Sequence, residues 1–178
     1  MSKIEVCVIG LGFVGAASCT AISSAKDNSG NLIFNVTGIE KNTPSGIEIV
    51  KKINSGNFPF EINDSELIKS LRLSIAQKNL KGITDKNVNY KNYDIICVDI
   101  NLDIEEINSK NFHVNFDNIK KLFKKIASQI KPETLILLES TVPPGTCEKI
   151  LWPIIFNEAV KKERYQKKTF YLRILLKE

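Results

Sequence analysis

A doubly wound α/β fold, with a mainly parallel sheet and helices on both faces, is predicted by three observations. Short apolar runs alternate along the chain with stretches of helical period. The first run, Ile4–Ile9, is apolar on both faces, as in a central parallel strand covered from both sides. It ends in the glycine-rich turn Gly10-Leu11-Gly12-Phe13-Val14-Gly15, which opens a helix.

The elements follow in order. Phe13–Ser24 is rich in small residues and reads as a helix lying close to a sheet. Residues 27–31 form a polar turn, and 32–39 a second strand ending at Glu40. Pro44 suits the first turn of a helix, with Ile47, Ile49, Val50 and Ile53 apolar, that stops at Ser55-Gly56. Asp64 and Ser65 cap a short helix through Leu71, and 73–76 reads as a strand. Residues 78–92 are polar and weakly patterned. Residues 93–100 form a buried strand and 101–114 a polar loop. Apolar positions 116, 119, 122, 123, 126 and 130 give a helical period. Residues 134–138 form a further strand. Thr146 caps a helix through about Val160 that Pro153 kinks or restarts, and 169–176 forms a last strand.

Composition narrows the class. The 178 residues suit one domain spanning 1–178, and 43% hydrophobic with 25% charged residues is ordinary for a globular protein. The net charge of +5 is concentrated from Glu158 onward, where seven basic residues face three acidic ones. That distribution reads as a solvated face and tail, not as a nucleic-acid or membrane patch. No apolar run reaches membrane-spanning length, and a strand begins too early to leave room for a signal peptide. Cys7, Cys19, Cys97 and Cys147 have no metal-ligand spacing and read as small buried hydrophobes, which points to a reducing, cytoplasmic setting without disulfides or metal. His113, the single histidine, reads as a surface residue of the polar loop.

The glycine turn carries the first chemistry. Gly10 allows the sharp turn out of the strand, Gly12 lets a pyrophosphate approach the backbone, and Gly15 lets the helix pack on the strand. The N–H groups near Phe13 and Val14 then face the phosphates. Glu40, 25 residues beyond Gly15, ends the second strand, where a carboxylate accepts from ribose hydroxyls and repels a 2′-phosphate. This Rossmann-type pattern predicts NAD as cofactor, favoured over NADP, although Lys41 weakens that preference.

Two further segments are more specific: INSGNFPFE over 53–61 and ESTVPPGT over 139–146. With GLGFVG, they resemble the N-terminal domain of the UDP-glucose/GDP-mannose dehydrogenase family, over Ile4 to about Leu172. The resemblance implies oxidation of the C6 alcohol of a nucleotide sugar to a carboxylate with two NAD+, through a cysteine thioester. It further implies that Gly10, Gly12, Phe13, Val14, Gly15, Glu40, Val98, Ser140 and Thr141 form the cofactor site. Thr141 matches a threonine that helps to hold a catalytic water, a task suited to a hydroxyl that donates and accepts. Glu61 resembles a glutamate beside the substrate domain, with a helix-flanking acid as the alternative.

Two departures stand out. Where the family often has Thr-Pro near the nicotinamide, this chain has Asp99-Ile100-Asn101 and a longer polar loop. None of its cysteines stands where the family nucleophile would be, and the central helix, the C-terminal substrate domain and most of the dimer interface are expected to be absent. A one-base frameshift within codons for Ala-His-Ser-Phe-Glu-Arg-Val-Met reproduces the closing Arg173-Ile174-Leu175-Leu176-Lys177-Glu178 followed by a stop. A frameshifted, inactive dehydrogenase fragment with exposed apolar surface is therefore expected. A naturally short chain, a stand-alone NAD-binding or regulatory module, and another Rossmann dehydrogenase are the alternatives.

Overall fold

The computed structural model describes residues 2–108, 111–161 and 171–174. The strands are β1 (Ile4–Ile9), β2 (Phe34–Glu40), β3 (Leu80–Thr84), β4 (Ile95–Val98), β5 (Asp103–Asn108), β6 (Asn111–Asn115), β7 (Leu135–Leu138) and β8 (Tyr171–Ile174). The helices are α1 (Phe13–Ser24), α2 (Pro44–Asn54), α3 (Ser65–Ala76), α4 (Asp117–Ala127) and α5 (Trp152–Lys161). Six strands form one sheet in the order β3-β2-β1-β4-β7-β8, and every pairing in it is parallel. The chain winds outward in both directions from β1 and β4, so the topological switch lies between these two strands.

Strand periodicity sorts the core into two layers. Val6 and Val8 point to one face, where Ala16 and Cys19 of α1, Ile53 of α2 and Leu71 of α3 cover them. Cys7 and Ile9 point to the other, where Ile119, Phe123 and Ile126 of α4 and Ile155 of α5 pack. The small residues of α1 matter because the helix comes very close to the sheet. A Cβ on Gly38 of β2 would stand 2.7 Å from Leu11 and 3.2 Å from the Cys19 sulfur.

Several local expectations are corrected. Residues 73–76 are not a strand but the last turn of α3, where Leu73 is exposed on the outer face. Strand β3 forms inside the weakly patterned stretch 78–92, because pairing with β2 completes it. The polar loop after β4 is an antiparallel hairpin, β5 with β6, and exposed His113 lies on β6. Thr146 does not cap a helix: it is already helical, and its hydroxyl donates to the Pro143 carbonyl at 2.7 Å. A π-helical turn, Cys147–Leu151, follows, and the α-helix restarts at Trp152-Pro153. Most of the basic tail lies outside the described residues.

The 54–60 segment is explained by three separate tasks. Helix α2 ends when the Gly56 N–H donates to Ile53 O and the Asn57 N–H donates to Lys52 O, a Schellman closure that puts Gly56 at φ +73°. The Asn54 amide donates to Gly82 O at 3.0 Å and accepts from Gly82 N–H at 2.7 Å, so it pairs with the free side of edge strand β3. Phe58 and Phe60 then turn toward the glycine loop.

Candidate functional site

The glycine turn sits at the switch point, and each glycine has a distinct neighbour. Gly10 adopts φ +96°, and a Cβ there would run into the Asp99 carbonyl of the adjacent β4 end. A Cβ on Gly15 would run into the Gly10 carbonyl, so α1 could not lie against β1. Gly12 differs: nothing stands within 4 Å of a Cβ built on it. The cradle at Gly12 is therefore open on the side where α1 begins. Phe13 and Val14, the first helical residues, carry N–H groups that lack intrahelical acceptors, and no acid lies in that first turn. These are the features a pyrophosphate requires, so the turn fits the group.

Glu40 closes the second side. Its carboxylate accepts from Leu11 N–H at 2.6 Å and from Lys41 N–H at 2.9 Å. A carboxylate offers about four acceptor positions, which leaves two for ribose hydroxyls. The end of β2 is thereby tied to the glycine turn, and the acid is held by two backbone N–H groups of this chain. From α2, Gly46 allows the Lys41 carbonyl and the Glu40 side chain to approach closely.

Between these walls lies a cleft of about 620 Å³ lined by Gly10, Gly12, Phe13, Val14 and Glu40. Of its far wall, only the Asp99-Ile100-Asn101 segment was legible in the sequence. That wall consists of Asp85 and Tyr90 after β3, Asp99-Ile100-Asn101 after β4, and one face of α4 formed by Asn118, Lys121, Leu122 and Lys125. The helical spacing of these α4 positions reads equally well as a solvated face. Lys125 lies over the Tyr90 ring at 5.8 Å, a cation–π contact. Phe13, which lines the cleft, meets Phe58 edge-on and Phe60 at a tilt, with centroid distances of 5.6 and 6.2 Å, which joins the 54–60 segment to the glycine turn.

The remaining predicted residues are placed differently. Val98 is fully buried in the core, so its side chain does not face the cleft. Its carbonyl accepts from Glu139 N–H and from the Ser140 hydroxyl. Ser140 also accepts from Ile100 N–H at 2.9 Å, so it latches the ends of β4 and β7 together. Thr141 is exposed beyond the carboxyl end of β7. Glu61 is exposed and lines a separate shallow groove with Phe60 and Arg72.

All four cysteines are free and buried. Burial pushes the Cys97 thiol up to about 12 and raises Cys7, Cys19 and Cys147 above the ordinary thiol range. A nucleophile requires accessible thiolate, and these groups do not provide it. Among the described residues no cluster of potential ligands could hold a metal ion, and no helix is long and apolar enough to cross a membrane.

Parallel strands wound both ways from a glycine turn, with an acid at the end of β2, define a dinucleotide-binding α/β domain. The chain belongs to the UDP-glucose/GDP-mannose dehydrogenase family: residues 4–173 match its NAD binding domain. A UDP-N-acetyl-D-mannosamine dehydrogenase of Pyrococcus horikoshii is 29% identical over 149 residues, which cover 83% of this chain and 31% of that protein. A UDP-glucose 6-dehydrogenase of Rickettsia prowazekii is 25% identical over 148 residues, 83% of this chain and 30% of its own length. In fold, the chain resembles an NDP-N-acetyl-D-galactosaminuronic acid dehydrogenase from Methanosarcina mazei with a TM-score of 0.77 at 20% identity, covering 97% of this chain and 34% of that one. The chain thus spans about a third of the length of the relatives it matches.

Proposed function

We propose that this chain is the cofactor-holding part of a nucleotide-sugar 6-dehydrogenase, acting on a UDP-sugar, and that alone it binds NAD without turning over substrate. The observation that carries the reading is the open cradle at Gly12 facing a pre-anchored Glu40 across one cleft. When bound, NAD+ accepts the hydride of an alcohol carbon, and two such oxidations convert an alcohol to a carboxylate.

The residues of this chain then have separate tasks. The N–H groups of Phe13 and Val14 neutralise the pyrophosphate. Glu40 accepts from the adenosine ribose and disfavours a 2′-phosphate. The Phe13–Phe58–Phe60 group shields the mouth of the cleft from water on the glycine-turn side. Thr141, exposed at the carboxyl end of β7, is suited to orient a water or the sugar. Covalent catalysis requires a thiolate, and burial of all four thiols supports the inactivity of the isolated chain. The names of its relatives leave UDP-glucose and UDP-N-acetylmannosamine as the sugars to test first.

The test is to mix the purified chain with NAD+ and each UDP-sugar and to follow both NAD binding and NADH formation. Binding without NADH is expected. NADH formed in proportion to this chain would overturn the proposed inactivity, and absence of NAD binding by the folded chain would overturn the cofactor role.

A further inference from the structure

Asp85 stands outside every motif, yet it grips the turn that carries Glu40. Strand β3 pairs in parallel with β2, and its last pair is Glu40 with Thr84. Asp85 is therefore the first residue beyond the strand and lies beside the Lys41-Asn42 turn. Its Oδ1 accepts from the Asn42 N–H at 2.9 Å. Its own carbonyl accepts from the Lys125 ammonium at 3.3 Å, and Lys125 lies over the buried Tyr90 ring. The Tyr90 N–H donates in turn to Gln129 Oε1 at 2.9 Å, just beyond α4.

The acid turn is thus held from two directions. Glu40 holds it from inside, through Leu11 N–H and Lys41 N–H. Asp85 holds it from outside, through Asn42. Within the two-residue link between Glu40 and the cap of α2 at Thr43, the Lys41 carbonyl accepts from the Thr43 N–H at 2.8 Å, and Asp85 is the one partner of the Asn42 N–H among the described residues, the point at which the link is tied to β3. Because Asp85, Glu40, Tyr90 and Lys125 all line the same cleft, a shift of this turn alters the ribose end of the cleft directly.

We propose that Asp85 is a positioning residue for cofactor selection: it clamps the Glu40–Asn42 turn to β3 and to α4, so that the Glu40 carboxylate is pre-aimed at the adenosine ribose. The inference rests on the NAD-binding reading above and adds a residue to it. A charge-assisted hydrogen bond of this kind contributes enough to change an affinity by about tenfold.

The experiment is NAD titration of the parent, D85A, D85N, E40A and the D85A/E40A double variant, with thermal unfolding of each. D85A should weaken NAD about tenfold and weaken AMP in step, while nicotinamide mononucleotide binds as to the parent. D85N keeps an amide oxygen as acceptor and should stay within about threefold of the parent. In the double variant the D85A effect should vanish, because its target is gone. An unchanged D85A affinity, an equal D85A loss on the E40A background, a D85N as weak as D85A, or a D85A chain that does not fold would each overturn the positioning role. A parent that binds no NAD would instead overturn the cofactor reading itself, so the two failures are distinguishable.

Discussion

Gly12 and Gly15 are three positions apart and differ in what stands behind them. A Cβ at Gly15 meets the Gly10 carbonyl, whereas a Cβ at Gly12 meets open space and the backbone there, φ −61° and ψ −173°, is ordinary for any residue. Gly12→Ala should therefore keep stability within about 1 kcal/mol of the parent while abolishing measurable NAD binding. Gly15→Ala should cost roughly 2 kcal/mol or more through overpacking at a rigid backbone contact. Urea unfolding and NAD titration of the two variants separate these outcomes; equal stability losses would contradict the assignment. The packing tasks of Gly10 and Gly15 were legible in the sequence because they follow from spacing. The surroundings of Ser140 and Val98 were not: the Ser140 hydroxyl accepts from the Ile100 N–H and donates to the Val98 carbonyl, and the Val98 side chain is turned into the core. The buried thiols make a further prediction. A thiol-specific reagent at pH 8 should leave Cys7, Cys19 and Cys97 unmodified in the native chain and label them after unfolding.

At the scale of elements, β1 and β4 were legible because their runs are almost wholly apolar, as central parallel strands require, and β2 because its apolar residues follow the polar turn and end at Glu40. Strand β3 was not, because it is short, mixed in character on both faces and defined by its partner and by the Asn54 clasp. Exposed Leu73 mimicked a strand signal on what is the outer face of α3. The β5–β6 hairpin reads as a loop because its strands are short and mostly polar, although Phe112 and Val114 alternate along β6 and Val114 pairs with exposed Ile104. The Asn54 clasp has a measurable consequence. Asn54→Ala strips both partners from Gly82 on an edge strand and should lower stability by about 1–3 kcal/mol. Asn54→Asp keeps one of the two bonds and should cost less. Equal unfolding midpoints for the parent and Asn54→Ala would contradict the edge-capping role.

For the whole molecule, the buried thiols and phenols set the response to alkali. Burial raises Cys7, Cys19, Cys97, Tyr90 and Tyr93 above their ordinary values. The folded chain therefore holds protons that the unfolded chain releases, so stability is fully present below the unfolded thiol value and falls as pH rises above it. Each such group removes up to about 1.4 kcal/mol per pH unit, beginning near the free-thiol range and steepening as the tyrosines join. Unfolding midpoints measured between neutral pH and strongly alkaline pH should decline; a flat profile would contradict the burial of these groups. The cleft itself needs three parts of the chain to meet: the glycine turn, the clamped acid turn after β2, and the basic face of α4. The sequence showed the first, and the acid of the second. The α4 wall became visible only once the sheet order placed that helix over the switch point. Isothermal titration of the folded chain with NAD and NADP tests this arrangement most directly. One NAD per chain, with NADP weaker by about tenfold or more, is the predicted result. A folded chain that binds no NAD, or that binds NADP equally well, would contradict it.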